Sequence, residues 1–346
     1  MARFSLKRAI LLLSGLLFLV ILLLVVSAVR FLITPAEQEG REQVLFVQKG
    51  LSLNQVASEL ERRNIIVSKA LFGLWGKIMG SSRRIKAGEY RLSPNMPPIR
   101  ILEILTTGAV ITYPVTFPEG YTIEQIADVL DSNELVEKEE FVILAHKPAV
   151  LKQYNIVGPS LEGYLYPDTY HFPRGISPSA AIDAMISRFR QLTGPLEKRA
   201  EVLGMTMEEV IILASIVEKE TGLGDERPKI ASVFLNRLKQ GMRLESDPTV
   251  IYGINGFNGN LTRKDLEEPT LYNTYVIRGL PIGPIANPGL EAIKAVLFPE
   301  ETDYLYFVSK NDGSHHFSKT LSDHNMAVRF YQRGGGESAG QNDNPS

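Results

Sequence analysis

The stretch "VQKGLSLNQVASEL", residues 47–60, returns further along the chain as "FPEGYTIEQIADVL", residues 117–130. Each copy runs through an extended segment into a glycine, and two residues later Ser52 or Thr122 precedes apolar positions spaced three and four apart. Glycine permits a tight turn, and a hydroxyl side chain caps the first turn of a helix. Both copies predict a strand, a turn and a capped helix, although this device is common and one match can arise by chance.

The first copy continues into a small α+β unit, which we place at residues 44–112. "AGEYRL", residues 87–92, predicts a short strand, and "PPIRILEILTTG", residues 97–108, predicts a helix opened by proline and closed by glycine. Trp75, the sole tryptophan, either packs within this unit or stacks on a ligand, and packing is the favoured interpretation.

Residues 113–332 have the composition of a larger α+β domain. A strand is predicted at "DYLYFVSK", residues 303–310, and strong helices are predicted at residues 178–192, 206–221 and 227–240. The final stretch "RGGGESAGQNDNPS", residues 333–346, is of low complexity and is predicted to be disordered.

The N-terminus predicts a transmembrane anchor. Residues 9–29, "AILLLSGLLFLVILLLVVSAV", carry no charge, and 21 residues at about 1.5 Å each cross a hydrocarbon core of about 30 Å. We expect a tail at residues 1–8, the anchor at 9–32 and a linker at 33–43. A cleaved signal peptide is the alternative, since "VSA" resembles a cleavage site, but the apolar stretch exceeds the usual 7 to 15 residues of a signal.

Charge indicates how this helix is oriented. Arg3, Lys7 and Arg8 crowd its N-terminal side, and the positive-inside rule places that side in the cytoplasm. The chain from about Arg30 onward is then expected to lie beyond the membrane.

Bulk composition excludes several classes of function. The 346 residues are 44% hydrophobic and 22% charged, as expected for a folded protein. A net charge of −2 offers no basic excess for nucleic acid. The absence of cysteine removes disulfides, thiol chemistry, lipidation at cysteine and cysteine-bound zinc.

Nucleophilic and metal-dependent mechanisms find no motif. The sequence lacks S-x-x-K and H-E-x-x-H, and "GPSLEG" lacks the spacing of a nucleophile elbow. The spacing of His315, His316 and His324 matches no common zinc pattern, so we expect no metal.

Carboxylates remain as candidates, and "LASIVEKETG", residues 213–222, places two of them at the end of an apolar helix. Glu218 shares a helical face with Ala214 and Ile211, and burial there would raise its pKa and make it a general acid. The alternative is a structural ion pair with Arg237. Glu220, about 200° further round, is either a solvated helix end or a second partly dry acid.

Two loops carry polar groups in rigid frames. "ESDPTVIYG", residues 245–253, and "LYNTYVIRGLPIGPIANPG", residues 271–289, mix tyrosines, amides and prolines. Tyrosines and amides that face a groove suit sugar rings. Equally, the tyrosines could belong to the core and the prolines could simply stiffen the loops.

Several long motifs in one order closely resemble the YceG-like, or MltG, endolytic murein (peptidoglycan) transglycosylases. The resemblance covers nearly the whole chain and rests on "SLEGYLYPDTYHF" (160–172), "ASIVEKETG" (214–222), "VFLNRLKQGMRLESDPTVIYG" (233–253), "YNTYVIRGLPIGPIANPG" (272–289) and "HHFSKTLSDHN" (315–325).

The resemblance implies an N-terminal transmembrane helix, a LysM-like unit and a catalytic domain. It implies a lyase that cuts the β-1,4 bond between N-acetylmuramic acid and N-acetylglucosamine in nascent peptidoglycan and leaves a 1,6-anhydro end. The catalytic residue would be Glu218, the first glutamate of E-K-E-T. It would protonate the leaving oxygen and then accept a proton from the C6 hydroxyl. No cofactor, second carboxylate or positioned water would be needed.

Six further residues are expected to orient the glycan or Glu218: Glu162, Arg237, Asp247, Asn273, Tyr275 and Asn287. The resemblance also implies location in the cell inner membrane with the bulk of the chain in the periplasm. It implies glycan binding by the LysM-like unit, control of strand length as a terminase, and association with glycan polymerases or penicillin-binding proteins. A non-catalytic peptidoglycan-binding module and a muramidase-type hydrolase are the alternatives.

Overall fold

The computed structural model describes residues 2–332, without the side chains of residues 2–7, 9 and 83. The predicted disordered tail at 333–346 lies outside the described residues. The chain divides into two compact units: the first runs to Tyr113 and includes His171–Ile176, and the second comprises Pro114–Tyr170 and the residues from Ser177 onward.

The first unit combines the N-terminal helix with a small sheet and three further helices. Strands β1 and β2 pair antiparallel, with Val47 opposite Gly88. In chain order its elements are α1 (Ala2–Ile33), β1 (Gln43–Val47), α2 (Leu53–Arg62), α3 (Lys69–Ile78), β2 (Gly88–Leu92) and α4 (Pro98–Thr107).

The second unit is mainly helical, with short strand pairs β3–β4 and β5–β6. Two of these strands include residues assigned to the first unit. Tyr113 is the first residue of β3, and His171 and Phe172 are the last two residues of β4. The elements are β3 (Tyr113–Thr116), α5 (Ile123–Ser132), α6 (Lys138–Ala145), α7 (Pro148–Gln153), β4 (Thr169–Phe172), α8 (Pro178–Thr193), α9 (Glu197–Val202), α10 (Met207–Glu220), α11 (Arg227–Lys239), α12 (Asp247–Gly253), α13 (Arg263–Glu267), α14 (Leu290–Leu297), β5 (Tyr306–Ser309), β6 (His315–Ser318) and α15 (Leu321–Gln332).

The repeated strand, turn and helix form in both copies, which confirms that prediction. Ser52 caps α2 and Thr122 caps α5, each in a capping box with the glutamine three residues on. Gly50 and Gly120 turn the chain with φ of 90° and 76°, a conformation that favours glycine.

The strand at β2 and the helix α4 also form as predicted. Pro98 is the first residue of α4, and Gly108 ends it in the left-handed conformation. The mixed α+β class is therefore confirmed, while the LysM-like character of the segment at residues 44–112 stays a prediction.

Helix α1 carries the expected apolar span. Its stretch Ile10–Ile33 is long and apolar enough to cross a membrane, with a mean hydropathy of 3.1 and an exposed surface. The orientation of this helix stays a prediction.

Helix α10 is the centre of the second unit. Thr206 caps it, and every residue from Val210 to Val217 is buried. Helices α11 and α14 pack against this buried stretch, and acidic residues follow it at the C-terminal end of α10. Glu218 and Glu220 lie at that end.

Candidate active site

Glu218 lies in the last turn of α10, and only 6% of its side chain is exposed. Its Oε1 accepts a hydrogen bond from Arg227 Nη2 at 2.8 Å, and its Oε2 accepts one from the backbone N–H of Gly289 at 3.0 Å. Gly289 is the N-cap of α14, so the carboxyl lies at the positive end of that helix dipole.

Opposing effects set the acidity of Glu218. Burial raises its pKa above the ordinary 4.5, and the nearby Glu119 carboxylate adds to the rise. The Gly289 amide and the Arg227 guanidinium act in the other direction without cancelling the rise. The shift has the direction predicted from the sequence, and it favours the protonated form that a general acid requires.

The ion-pair partner of Glu218 is Arg227, so the alternative that paired it with Arg237 was wrong. Helices α10 and α11 are joined by a short turn, which brings the end of one next to the start of the other. Arg227 is the first residue of α11, whereas Arg237 lies near its far end. Among the described residues, Arg227 Nε is buried without a hydrogen-bond partner.

Sequence reasoning missed Glu119, whose Oε2 lies 3.5 Å from Arg227 Nη2. Its side chain is 45% exposed. The carbonyl of Gly120, in the same turn, accepts a hydrogen bond from Lys219 at 3.3 Å. A signal was present in the repeat, because the first copy has Lys49 where the second has Glu119.

Glu162 and Asn287 form a buried network close to this turn. Glu162 is 2% exposed and accepts hydrogen bonds from the amide of Ile123 at 3.1 Å, from Asn287 Nδ2 at 2.7 Å and from the Tyr252 hydroxyl at 3.0 Å. Burial raises its pKa to about 7. Neither side chain is exposed to solvent, so a role in catalysis would be positioning.

Asn287 connects this network to Glu218 through the backbone. Its backbone N–H donates to the Tyr121 carbonyl at 2.8 Å, and its backbone carbonyl accepts from the backbone N–H of Gly120 at 2.9 Å. These bonds join the segment that ends at Gly289 to the turn that carries Glu119. The donor to Glu218 and the second carboxylate are thereby held in one frame.

Three other expected residues line one cavity of about 450 Å³: Arg237, Asp247 and Tyr275. The Tyr275 hydroxyl donates to Asp247 Oδ1 at 2.6 Å. Arg237 donates to the Leu305 carbonyl at 2.6 Å and pairs with Glu245 at 3.0 Å.

Glu220 lines the same cavity and is not a freely solvated helix end. It accepts a hydrogen bond from the Ser246 hydroxyl. Burial raises the pKa of Glu220 to about 7. Glu218 and Glu220, the two acidic side chains at the end of α10, are therefore both largely buried from solvent.

Asn273, the sixth expected residue, is fully buried. Its Nδ2 donates to the Glu268 carbonyl at 2.7 Å, and its Oδ1 accepts from the Tyr275 amide at 2.9 Å. It fixes the loop that carries Tyr275. The functional roles of all six residues stay predictions.

The three C-terminal histidines each make a different side-chain contact. His315 Nδ1 pairs with Glu226 at 2.7 Å, whereas His324 stacks on Tyr306 with ring centroids 5.3 Å apart. His316 packs near Tyr331. Across residues 2–332, no group of three His, Asp or Glu side chains is placed to hold a metal ion.

An enclosed glutamate with a raised pKa, held by an arginine and a helix N-terminus, has the features expected of a site in a general acid–base enzyme. Residues 45–330 match the YceG-like family. The chain belongs to this family, as the sequence motifs indicated.

Relatives with named activities support the assignment. The endolytic murein transglycosylase of Bacillus subtilis (strain 168) is 34% identical over 318 residues, which cover 87% of this chain and 88% of that one. The protein of the same name from Streptococcus pneumoniae D39 is 26% identical over 85% of this chain, and the match spans 59% of its own length. The enzyme class is therefore that of the lytic transglycosylases.

A solved structure shares the fold. The crystal structure of a YceG-like protein from Listeria monocytogenes matches with a TM-score of 0.58 and 33% identity, covering 84% of this chain and 100% of that one.

Proposed function

We propose that the protein is a membrane-anchored endolytic lytic transglycosylase of nascent peptidoglycan. It cleaves the β-1,4 bond between N-acetylmuramic acid and N-acetylglucosamine, leaves a 1,6-anhydroMurNAc end and so terminates strand elongation. The enclosure of Glu218 between Arg227 and Gly289 is the observation that carries the proposal.

In the first half of the reaction, Glu218 acts as an acid. Its proton passes to the glycosidic oxygen as the bond from that oxygen to C1 breaks. Burial keeps the carboxyl protonated more often than in water. The carboxylate that results is stabilised by Arg227 and the Gly289 amide, which already lie within hydrogen-bond distance.

In the second half, the same carboxylate acts as a base. The C6 hydroxyl of the muramic acid closes on C1, and its proton passes to Glu218. The attacking oxygen belongs to the substrate, so atoms balance without water, and the acid is regenerated.

Positioning residues keep this geometry fixed. Glu162 and Asn287 hold the segment before Gly289 against the turn at Gly120. A displacement of about 1 Å at such a site can cost about a hundredfold in rate. Their role is therefore to orient Glu218 rather than to touch the glycan.

The cavity lined by Asp247 and Tyr275 supplies the glycan contacts. Carboxylate and phenol oxygens bind sugar hydroxyls, and the tyrosine ring packs on a sugar face. Arg237 orders the wall of this cavity, and Asn273 fixes the loop of Tyr275.

Helix α1 spans the cell inner membrane once, with the N-terminus in the cytoplasm and the bulk of the chain in the periplasm. Anchoring confines cleavage to glycan near the bilayer, where new strands emerge, and the LysM-like unit at residues 44–112 adds local tethering. This geometry fits an enzyme that sets strand length beside glycan polymerases or penicillin-binding proteins.

Muramidase-type hydrolysis is the second candidate, and Glu119 favours it. A carboxylate paired with Arg227 beside the acid could activate a water, as in glycosidases with two carboxylates. A non-catalytic glycan-binding module is the third reading, in which Glu218 serves only as the partner of Arg227.

Product analysis separates the three. Purified enzyme and uncrosslinked glycan should give fragments one water lighter than hydrolysis products, seen by mass spectrometry. Reducing ends would establish hydrolysis, and no fragments at all would favour the binding module. Glu218→Gln should bind glycan but release none, whereas release at the wild-type rate would end the proposal for this residue.

A further inference from the structure

Helix α3 has two apolar faces, and one of them is left uncovered by the described residues. Phe72, Gly73 and Gly76 face the core, where a Cβ on Gly76 would approach Leu53 to 2.4 Å. On the opposite side, Leu74 and Ile78 are 51% and 64% exposed. Leu71 lies on the same side by helical spacing, and Met79, directly after the helix, is 43% exposed. We call Leu71, Leu74, Ile78 and Met79 the outer face of α3.

This face adjoins α1 within the same unit. The indole Nε1 of Trp75 donates to the Ala28 carbonyl at 3.1 Å, and α3 packs against α1. The outer face therefore continues the apolar surface of α1, where Val29 and Ile33 are exposed at 44% and 62%.

The depth of this junction follows from the length of α1. Arg8 and Arg30 bracket the uncharged stretch. At about 1.5 Å per residue, Ala28 lies about 27 Å along the axis from Ile10, against a hydrocarbon thickness of about 30 Å. Trp75 is thus tied to the boundary between lipid tails and headgroups, where tryptophan is enriched.

The charged residues in the segment that carries the outer face of α3 are all basic. Residues 70–88 contain no aspartate or glutamate, but they contain Lys77, Arg83, Arg84 and Lys86, whereas Lys69, on the far side of α3, pairs with Glu61 at 3.7 Å. Basic residues beside an apolar helical face are typical of contact with anionic phospholipid headgroups.

We propose that the outer face of α3 is a second membrane-contact surface, which rests in the headgroup region of the leaflet from which α1 emerges. The inference rests on the proposed membrane anchor. Two contacts, one spanning and one lying on the surface, fix the height and tilt of the first unit in a way that a single helix does not.

The absence of cysteine from the chain allows a direct test. Ile78→Cys and, as the matched control on the far side of the same helix, Lys69→Cys each carry one fluorophore on the full chain in vesicles of zwitterionic and anionic phospholipid. Brominated lipids should quench the label at position 78, and aqueous iodide should quench it several-fold less than the label at position 69. Equal iodide quenching at both positions would overturn the proposal, as would shielding of position 78 from both quenchers, which would indicate a protein partner.

A second variant tests whether the face itself makes the contact. Leu74→Asp should abolish lipid quenching at position 78, while the sole tryptophan, Trp75, should remain quenched by lipid because α1 still holds it. Persistent lipid quenching at position 78 would show that α1 alone places the label, and the proposal would fall.

Flotation and product release separate this inference from the proposed function. Vesicles that float without the chain would overturn both the anchor and the contact of α3. A chain that floats and releases anhydro ends, but whose position 78 faces water, would overturn the contact alone.

Discussion

Glu218 and Arg227 form an ion pair at 2.8 Å in which the side chains are only 6% and 12% exposed. The guanidinium favours the ionised carboxyl, whereas burial favours the protonated one, and burial prevails. A proton donor that starts neutral and ends stabilised as an anion needs both effects.

Arg227→Met should raise the pKa of Glu218 further, because it removes a charge that stabilises the carboxylate. In the pH profile of kcat/KM, the alkaline limb, where Glu218 loses its proton, should move to higher pH. We expect kcat/KM at its optimum to fall about a hundredfold as the carboxyl loses its fixed orientation. Lys229→Met is the matched control, since Lys229 pairs only loosely with Glu300 at 3.8 Å. An alkaline limb that moves to lower pH would contradict this account.

Glu119→Gln should move the same limb to lower pH, because Glu119 raises the pKa of Glu218. Gly289→Ala should act in the same direction, since a Cβ there would come within 1.9 Å of Glu119 Oε1 and would displace that flexible carboxylate. The double variant Glu119→Gln/Gly289→Ala should have the same pH profile as either single variant, because both substitutions remove the Glu119 carboxylate from Glu218. If the two shifts of the alkaline limb add in the double variant, the substitutions act separately.

Tyr275→Phe should raise KM by up to about tenfold with little change in kcat, since a hydrogen bond contributes about 0.5–1.5 kcal/mol. Steady-state kinetics with uncrosslinked glycan measures both constants. Tyr113→Phe is the control, because its hydroxyl also donates to a carboxylate, Glu89, at 2.6 Å but lies outside the cavity. If Tyr275→Phe and Tyr113→Phe change KM equally, Tyr275 does not bind the glycan.

Glu162 should make stability depend on pH. Its pKa of about 7 in the folded protein exceeds the 4.5 of an exposed glutamate. Its contribution to the free energy of unfolding is therefore fully present below pH 4.5 and is lost as pH rises through 7. The contribution amounts to about 3 kcal/mol. Glu162→Gln can donate from Nε2 to Tyr252 and should remove this part of the pH dependence in thermal unfolding. If stability depends on pH in Glu162→Gln as it does in the exposed control Glu139→Gln, the raised pKa of Glu162 would be contradicted.

Local pattern was sufficient to predict the repeat, the α10 helix and the candidate acid. Capping residues, turn glycines and helical spacing act over a few neighbouring residues, so the sequence displays them directly. The apolar run before Glu218 likewise indicated burial without knowledge of what covers it.

Which segments meet at the site could not be predicted in this way. Glu119, Glu218 and Gly289 come from three distant parts of the chain, and periodicity carries no information on which loops converge. The sequence leaves Arg237 open as the partner of Glu218, whereas the short turn between α10 and α11 brings Arg227 to it. Glu220 depends similarly on Ser246, in a loop whose path the sequence does not reveal.

The acidity of Glu218 is the most direct test of the whole account. Carbon-13 NMR of labelled glutamate carboxyls, with Glu218→Gln to assign the resonance, gives its titration in the folded protein. We predict a pKa above the ordinary 4.5, caused by burial beside Arg227 and Gly289. A carboxyl that titrates at or below 4.5, with and without glycan bound, would contradict a mechanism in which Glu218 donates the proton.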